Sequence, residues 1–208
     1  MRNEPLTANQ AKSGISAESS QDSERVLSYR LLATLLRQPP GDDMLAYLRS
    51  LEVTGTEGGE LGVALQMLGL AARSTTPAAV DDEFHELFIG LGRGELVPYA
   101  SWYLTGYLME QPLARLREDL ARLGFARSEA VKEPEDHVAA LLEVMSFLAE
   151  GPEPLSVQAA FHDLHLAPWV GRFFEDLAQA RAAVFYRSVA RLGALFLESE
   201  RLLLEGSA

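Results

Sequence analysis

Cysteine is absent from all 208 residues. That removes disulfides, thiolate zinc sites, iron–sulfur ligation and thiol nucleophiles together, and it accords with a reducing compartment. Basic residues are scarce beside acidic ones: 18 Lys and Arg against 30 Asp and Glu leave a formal net charge of −12. Such a surface is ill suited to neutralising phosphates, so no nucleic-acid partner is expected; it draws a cationic partner at long range instead. Long apolar runs are missing too. None approaches the roughly 20 residues that span a bilayer. The opening stretch, residues 1–22, is rich in Ser, Asn, Gln and Glu and lacks the apolar core of a signal peptide. We expect a disordered tail over 1–22, one domain over 23–208, a cytoplasmic location and no stable membrane insertion.

Strand signals are lacking as well. No segment alternates apolar and polar residues between hairpin turns, and no fixed repeat marks a solenoid. Helical periodicity is everywhere else. Val26, Leu27, Tyr29, Leu31, Leu32, Leu35 and Leu36 form one broad apolar face before Gln38-Pro39-Pro40-Gly41 stops the helix. Asp42 is placed to cap a second helix. Thr76-Pro77 opens another, with Val80, Phe84, Leu87 and Phe88 at i, i+4, i+7 and i+8. The pattern then predicts helices from Ala100 to Glu110 or Gln111, Leu113 to Leu123, Glu133 to Glu150, Leu155 to Leu166, from Pro168, and from Arg181 to Leu204. The expected fold class is all-α, a single compact bundle of about nine to ten helices.

The densest polar cluster is Glu133-Pro134-Glu135-Asp136-His137. Pro134 suits a first helical position, and acidic side chains there face the positive end of the helix dipole. Asp136 and His137 suggest metal ligation with His85, His162 and His165, yet no histidine pair has the HxxxH spacing. Ser101, His137 and Asp136 name a hydrolytic triad, yet neighbours on a helix point about 100° apart, and there is no GxSxG elbow. Gly90, Gly92 and Gly94 suggest a phosphate loop without matching either common fingerprint. Aromatics crowd Phe84, Phe88, Tyr99, Trp102, Tyr103 and Tyr107. Core packing explains them, and so does a peptide groove beside acidic groups.

Several blocks taken in order resemble the TorD/DmsD family of cytoplasmic maturation chaperones for molybdoenzymes. They are Phe84-x-x-Leu87-Phe88-x-Gly90, Val97-Pro98-Tyr99-Ala100-Ser101-Trp102-Tyr103, Glu133-Pro134-Glu135-Asp136-His137 with Leu142-Glu143-x-Met145, and Phe161-x-x-x-His165-Leu166-x-Pro168-Trp169-x-x-x-Phe173. The match runs from about Ser23 to Leu203. The resemblance implies an all-helical chaperone, not an enzyme, that binds the twin-arginine signal peptide and precursor of a molybdoenzyme and holds it back from export. It implies peptide-binding positions at Phe84, Leu87, Phe88, Pro98, Tyr99, Ser101, Tyr103, Asp136 and His137. GTP binding has been proposed for the family, but nothing in this sequence supports it independently, so no cofactor and no metal are expected. Some members carry Trp at the positions of Phe84 or Tyr99, so the choice of client does not transfer.

Charge logic runs the same way. Two guanidiniums followed by an apolar stretch need carboxylates beside an apolar groove. Glu135 and Asp136 next to Phe84, Phe88, Pro98 and Tyr99 provide both, if the fold brings loop and helix start together. The rival is a metal- or nucleotide-dependent hydrolase using Asp136, His137 and the Gly90–Gly94 loop. Oligomeric state stays open, a homodimer included.

Overall fold

Ten α-helices and one π-turn build the computed structural model, which describes residues 8–51, 59–126 and 132–206, with side chains from 22 onward. In chain order the helices are α1 (Ala8–Arg37), α2 (Asp42–Ser50), α3 (Gly59–Arg73), α4 (Pro77–Phe84), α5 (Ala100–Thr105), α6 (Gln111–Arg122), α7 (Val138–Glu150), α8 (Leu155–His165), α9 (Val170–Gln179) and α10 (Tyr186–Glu205). The all-α expectation holds. Among the described residues the only bridge of β type is a single antiparallel pair, Tyr99 with His137. No described helix is long and apolar enough to cross a membrane.

The apolar stripes read from the sequence meet in one core. Tyr29, Leu32, Leu35 and Leu36 of α1 lie along α7, which buries Leu141, Leu142, Met145 and Leu148. Phe173, Phe174 and Leu177 of α9 pack on Tyr186, Val189 and Phe196 of α10. Full burial of such side chains stabilises by roughly 1.5–3 kcal/mol each, which is what binds short helices that could not stand alone. At the far side of α1, Arg25 is buried and gives its guanidinium to Glu200 of α10 (2.7 and 2.8 Å) and Gln158 of α8 (2.9 Å). The Tyr29 hydroxyl donates to the same carboxylate at 2.9 Å.

Several ends differ from the periodic reading, those of α7 and α10 for tertiary reasons. Helix α1 reaches back to Ala8, into the stretch expected as a tail, and residues 1–7 lie outside the described residues. Helix α2 begins at Asp42 itself, with Gly41 as its N-cap. Helix α5 stops at Thr105 because Gly106 turns left-handed at φ 82°, and Met109 follows at φ 60°. Helix α7 starts at Val138, four residues after Pro134, because the extended His137 is bridged to Tyr99. Val138 N–H donates to Pro98 at 2.9 Å, and Ala100 N–H to Asp136 at 3.0 Å. Helix α9 begins at Val170, two residues past Pro168. Helix α10 starts at Tyr186 because two distant carboxylates claim the preceding amides. Glu95 accepts from Arg181 and Ala182 (2.8 and 3.1 Å), and Glu83 from Val184, Phe185 and Tyr186 (2.7–3.0 Å).

Candidate functional site

Helix α4 does not end at Phe84 but widens into a π-turn, His85–Ile89. The wider turn sets Phe84 and Phe88 edge to face at 5.0 Å and turns both toward one groove. The glycine loop then folds back on that turn. Glu95 N–H donates to Glu86 at 3.1 Å and Leu96 N–H to Leu87 at 2.8 Å. The fold-back leaves no room for side chains. A Cβ on Gly94 would sit 2.4 Å from the Phe88 carbonyl carbon, and one on Gly90 2.1 Å from the Arg93 oxygen. The glycines are there for backbone approach.

Beyond the loop, Pro98 and Tyr99 are clamped to the start of α7 by the bridge, closing one side of the groove. The opposite wall comes from α6, the turn after it and α7: Leu120, Phe125, Val144 and Phe147, with Phe125 and Phe147 rings 6.1 Å apart. The hollow measures about 1000 Å³. Its floor is apolar, and its rim carries both signs of charge. Glu135 accepts two bonds from Arg117 (3.0 and 2.8 Å), Glu143 accepts from Arg37 (2.5 Å), and Glu133 accepts the Tyr99 hydroxyl (2.7 Å). Lys132 completes the rim.

The ten residues singled out in the sequence divide into three sets. Phe84, Phe88, Pro98, Tyr99, Glu135 and His137 line this groove. Leu87, Ser101 and Asp136 are buried, so in this conformation they shape the groove and do not touch its contents. Asp136 is a cap: its carboxylate accepts the Ser101 N–H at 2.9 Å, fixing the start of α5. Tyr103 faces elsewhere, donating to Asp176 at 3.0 Å and packing on Trp169. It lines a smaller polar hollow with Arg93, Trp102 and Arg172, where Arg93 lies 4.8 Å over the Trp102 ring.

His137 is the N-cap of α7, its Nδ1 accepting the Ala139 N–H at 3.1 Å. An accepting Nδ1 requires the neutral ring with its proton on Nε2. Burial lowers its pKa to about 4, the nearby Glu133 opposing and Arg37 assisting, so the ring is neutral at pH 7. The groups of the hydrolase reading are therefore committed elsewhere. Asp136 caps α5, His137 caps α7, and the glycine loop is packed against the π-turn. The other histidines are dispersed: His85 bonds the Asp81 carbonyl, His162 meets Asp163, and His165 meets Asp119 at 2.7 Å. Among the described residues no three His, Asp or Glu side chains gather as a metal site.

The sequence reading did not assign Arg37, Arg117, Leu120, Phe125, Glu143, Val144 or Phe147 to a groove, although Glu143 lies in one of the resembling blocks. A signal was present for two of them. The core stripe of α7 is satisfied by Val138, Leu141, Leu142, Met145 and Leu148, which leaves Val144 and Phe147 as apolar residues in surplus.

Known proteins share this architecture. The model of the nitrate reductase delta subunit family matches residues 54–175. A chaperone protein TorD of Actinobacillus pleuropneumoniae serotype 3 (strain JL03) is 27% identical over 187 residues, covering 85% of this chain and 94% of its own. The TorD of Aliivibrio fischeri is 26% identical over 194 residues, covering 87% and 90%. That of a Vibrio cholerae O1 strain (M66-2) is 31% identical over 134 residues, covering 59% and 61%. A crystal structure from Archaeoglobus fulgidus, named for a proposed role in redox enzyme maturation, superposes with a TM-score of 0.55 at 21% identity. It covers 85% of this chain and 93% of its own, and it shares the fold.

Proposed function

This chain belongs to the nitrate reductase delta subunit family, and on that premise we propose that it is a cytoplasmic maturation chaperone, not an enzyme, for a molybdopterin oxidoreductase. Its relatives are TorD chaperones. The observation that carries the reading is the groove between the π-turn, α6 and α7: an apolar floor large enough for several side chains under a rim of carboxylates paired with arginines. The occupant we assign to it is the twin-arginine signal peptide of the client precursor. The apolar stretch of such a peptide lies on Phe84, Phe88, Phe125 and Phe147, while its guanidiniums meet Glu133, Glu135 or Glu143. Helix-in-groove recognition has this division of labour, with apolar anchors for affinity and charge for register. Holding that segment keeps the precursor from export while its cofactor is inserted.

Titration of the protein with a synthetic twin-arginine peptide, and with its Lys-Lys counterpart, tests the assignment. Arginine forms the planar paired contacts that lysine cannot, so the first peptide binds more tightly, and added salt narrows the gap. Phe147 is half-exposed, so Phe147→Ala leaves the fold intact and lowers affinity by about tenfold, the size of one lost aromatic anchor. Equal binding of both peptides, undisturbed by Phe147→Ala, removes the groove from the function.

A further inference from the structure

Glu135 is not waiting for a ligand. Arg117 Nε and Nη2 both donate to its Oε2, at 3.0 and 2.8 Å. The two partners are unequal in exposure. The Glu135 side chain is 15% exposed and that of Arg117 49%. The second pair on the rim, Arg37 with Glu143, is open on both sides, at 38% and 48%. A carboxylate that is mostly covered is costly without a cation beside it. A half-exposed guanidinium gives up little when it swings into water. The asymmetry marks Glu135 as the fixed member of the pair and Arg117 as the exchangeable one.

We propose that Arg117 is a resident placeholder for the ligand's arginine, occupying Glu135 while the groove is empty and displaced by an incoming guanidinium. The proposal rests on the peptide-binding reading above and adds to it a mechanism and a specificity-determining residue. Exchange has a definite thermodynamic signature. A ligand that needs Glu135 sees only the fraction of molecules in which Arg117 has left, so its apparent affinity is reduced by that fraction. A ligand without a cation has no use for Glu135 and is indifferent to where Arg117 stands. Placeholder pairing also keeps charge on the rim balanced in the empty chaperone, where an acidic groove would otherwise collect any cationic segment.

The test uses the full chain and two synthetic peptides. One carries two adjacent arginines ahead of an apolar stretch; the other has glutamines in their place. Arg117→Ala binds the arginine peptide roughly two- to fivefold more tightly than the parent chain, the range expected for release of a partly exposed ion pair, and binds the glutamine peptide equally. Arg117→Gln gives the same pattern with a polar side chain kept on α6, and circular dichroism and thermal melting of both variants match the parent chain, as they do when the fold is kept. Unchanged or weaker binding of the arginine peptide overturns the exchange. So does equal tightening of both peptides, which would mean a wider groove. If the parent chain itself does not separate the two peptides, arginine recognition fails and the exchange falls with it. The other two outcomes leave recognition standing and remove the placeholder alone.

Discussion

A proton on His137 would abolish the bond that starts α7. Its Nδ1 accepts the Ala139 N–H, and the protonated ring has no lone pair to offer. Its pKa is 6.5 in the unfolded chain and is lowered to about 4 in the folded one. Between those values the unfolded chain binds the extra proton, so stability from this group is whole above pH 6.5 and is lost as pH falls toward 4. Asparagine caps helices well and does not titrate. His137→Asn therefore flattens the fall in melting temperature over that window while preserving stability at pH 7.5. Thermal denaturation in a pH series measures it, and an unaltered slope would place the acid sensitivity on another group. The neighbouring Asp136 plays a different part: its buried carboxylate accepts the Ser101 amide and holds the start of α5.

Between helices, the decisive piece is the glycine loop after the π-turn. Gly94 has Leu87 O at 2.5 Å and the Phe88 carbonyl carbon at 2.4 Å from where a Cβ would lie, and neither backbone atom can step aside cheaply. Gly94→Ala is expected to cost about 1–3 kcal/mol, as overpacking does. It also weakens peptide binding, because the strain falls on the residue that supplies the groove floor. Urea unfolding and peptide titration of one variant give both numbers; unchanged binding would mean that Phe88 is positioned by its ring contacts alone. The bodies of α1, α4, α7 and α9 were legible in the sequence because period-3.6 stripes record burial directly. Their ends were legible only in part: Thr76-Pro77 opens α4 and Arg37 closes α1 as read, while α7 and α9 begin later than their prolines suggest. Pro134 carries a local preference for a first helical turn, and the pairing of 98–100 with 136–138 overrides it. The groove was half legible for the same reason. Phe84, Phe88, Pro98 and Tyr99 lie in blocks with recognisable chemistry, while Arg117 and Arg37 acquire theirs only from partners 18 and 106 positions away.

Across the whole molecule, charge does two kinds of work. The net −12 acts at a distance, raising the encounter rate with a cationic segment and making that rate sensitive to salt. The buried charges act at contact. Arg25, Glu200, Gln158 and Tyr29 form a closed network in which every donor aimed inward has an acceptor. Glu200→Ala strands the Arg25 guanidinium in the interior, and the expected loss is about 3–5 kcal/mol. Chemical denaturation reads it directly. Replacing Arg25 and Glu200 together by Met and Leu recovers most of it, since two apolar side chains leave no orphan charge.

Glu83 adds an element of timing. It sits one residue before the first aromatic of the groove, yet its amide partners lie 101 to 103 positions later, and Phe84 itself packs on Tyr186 at 5.9 Å. A ribosome adding 5–20 residues per second takes roughly 5–20 s to cover that interval. Throughout it the nascent α4 holds a carboxylate with no amides to receive and a Phe84 ring without its Tyr186 backing. The groove-lining residues, 37 to 147, are thus all made before the amides and the ring that brace α4 from behind.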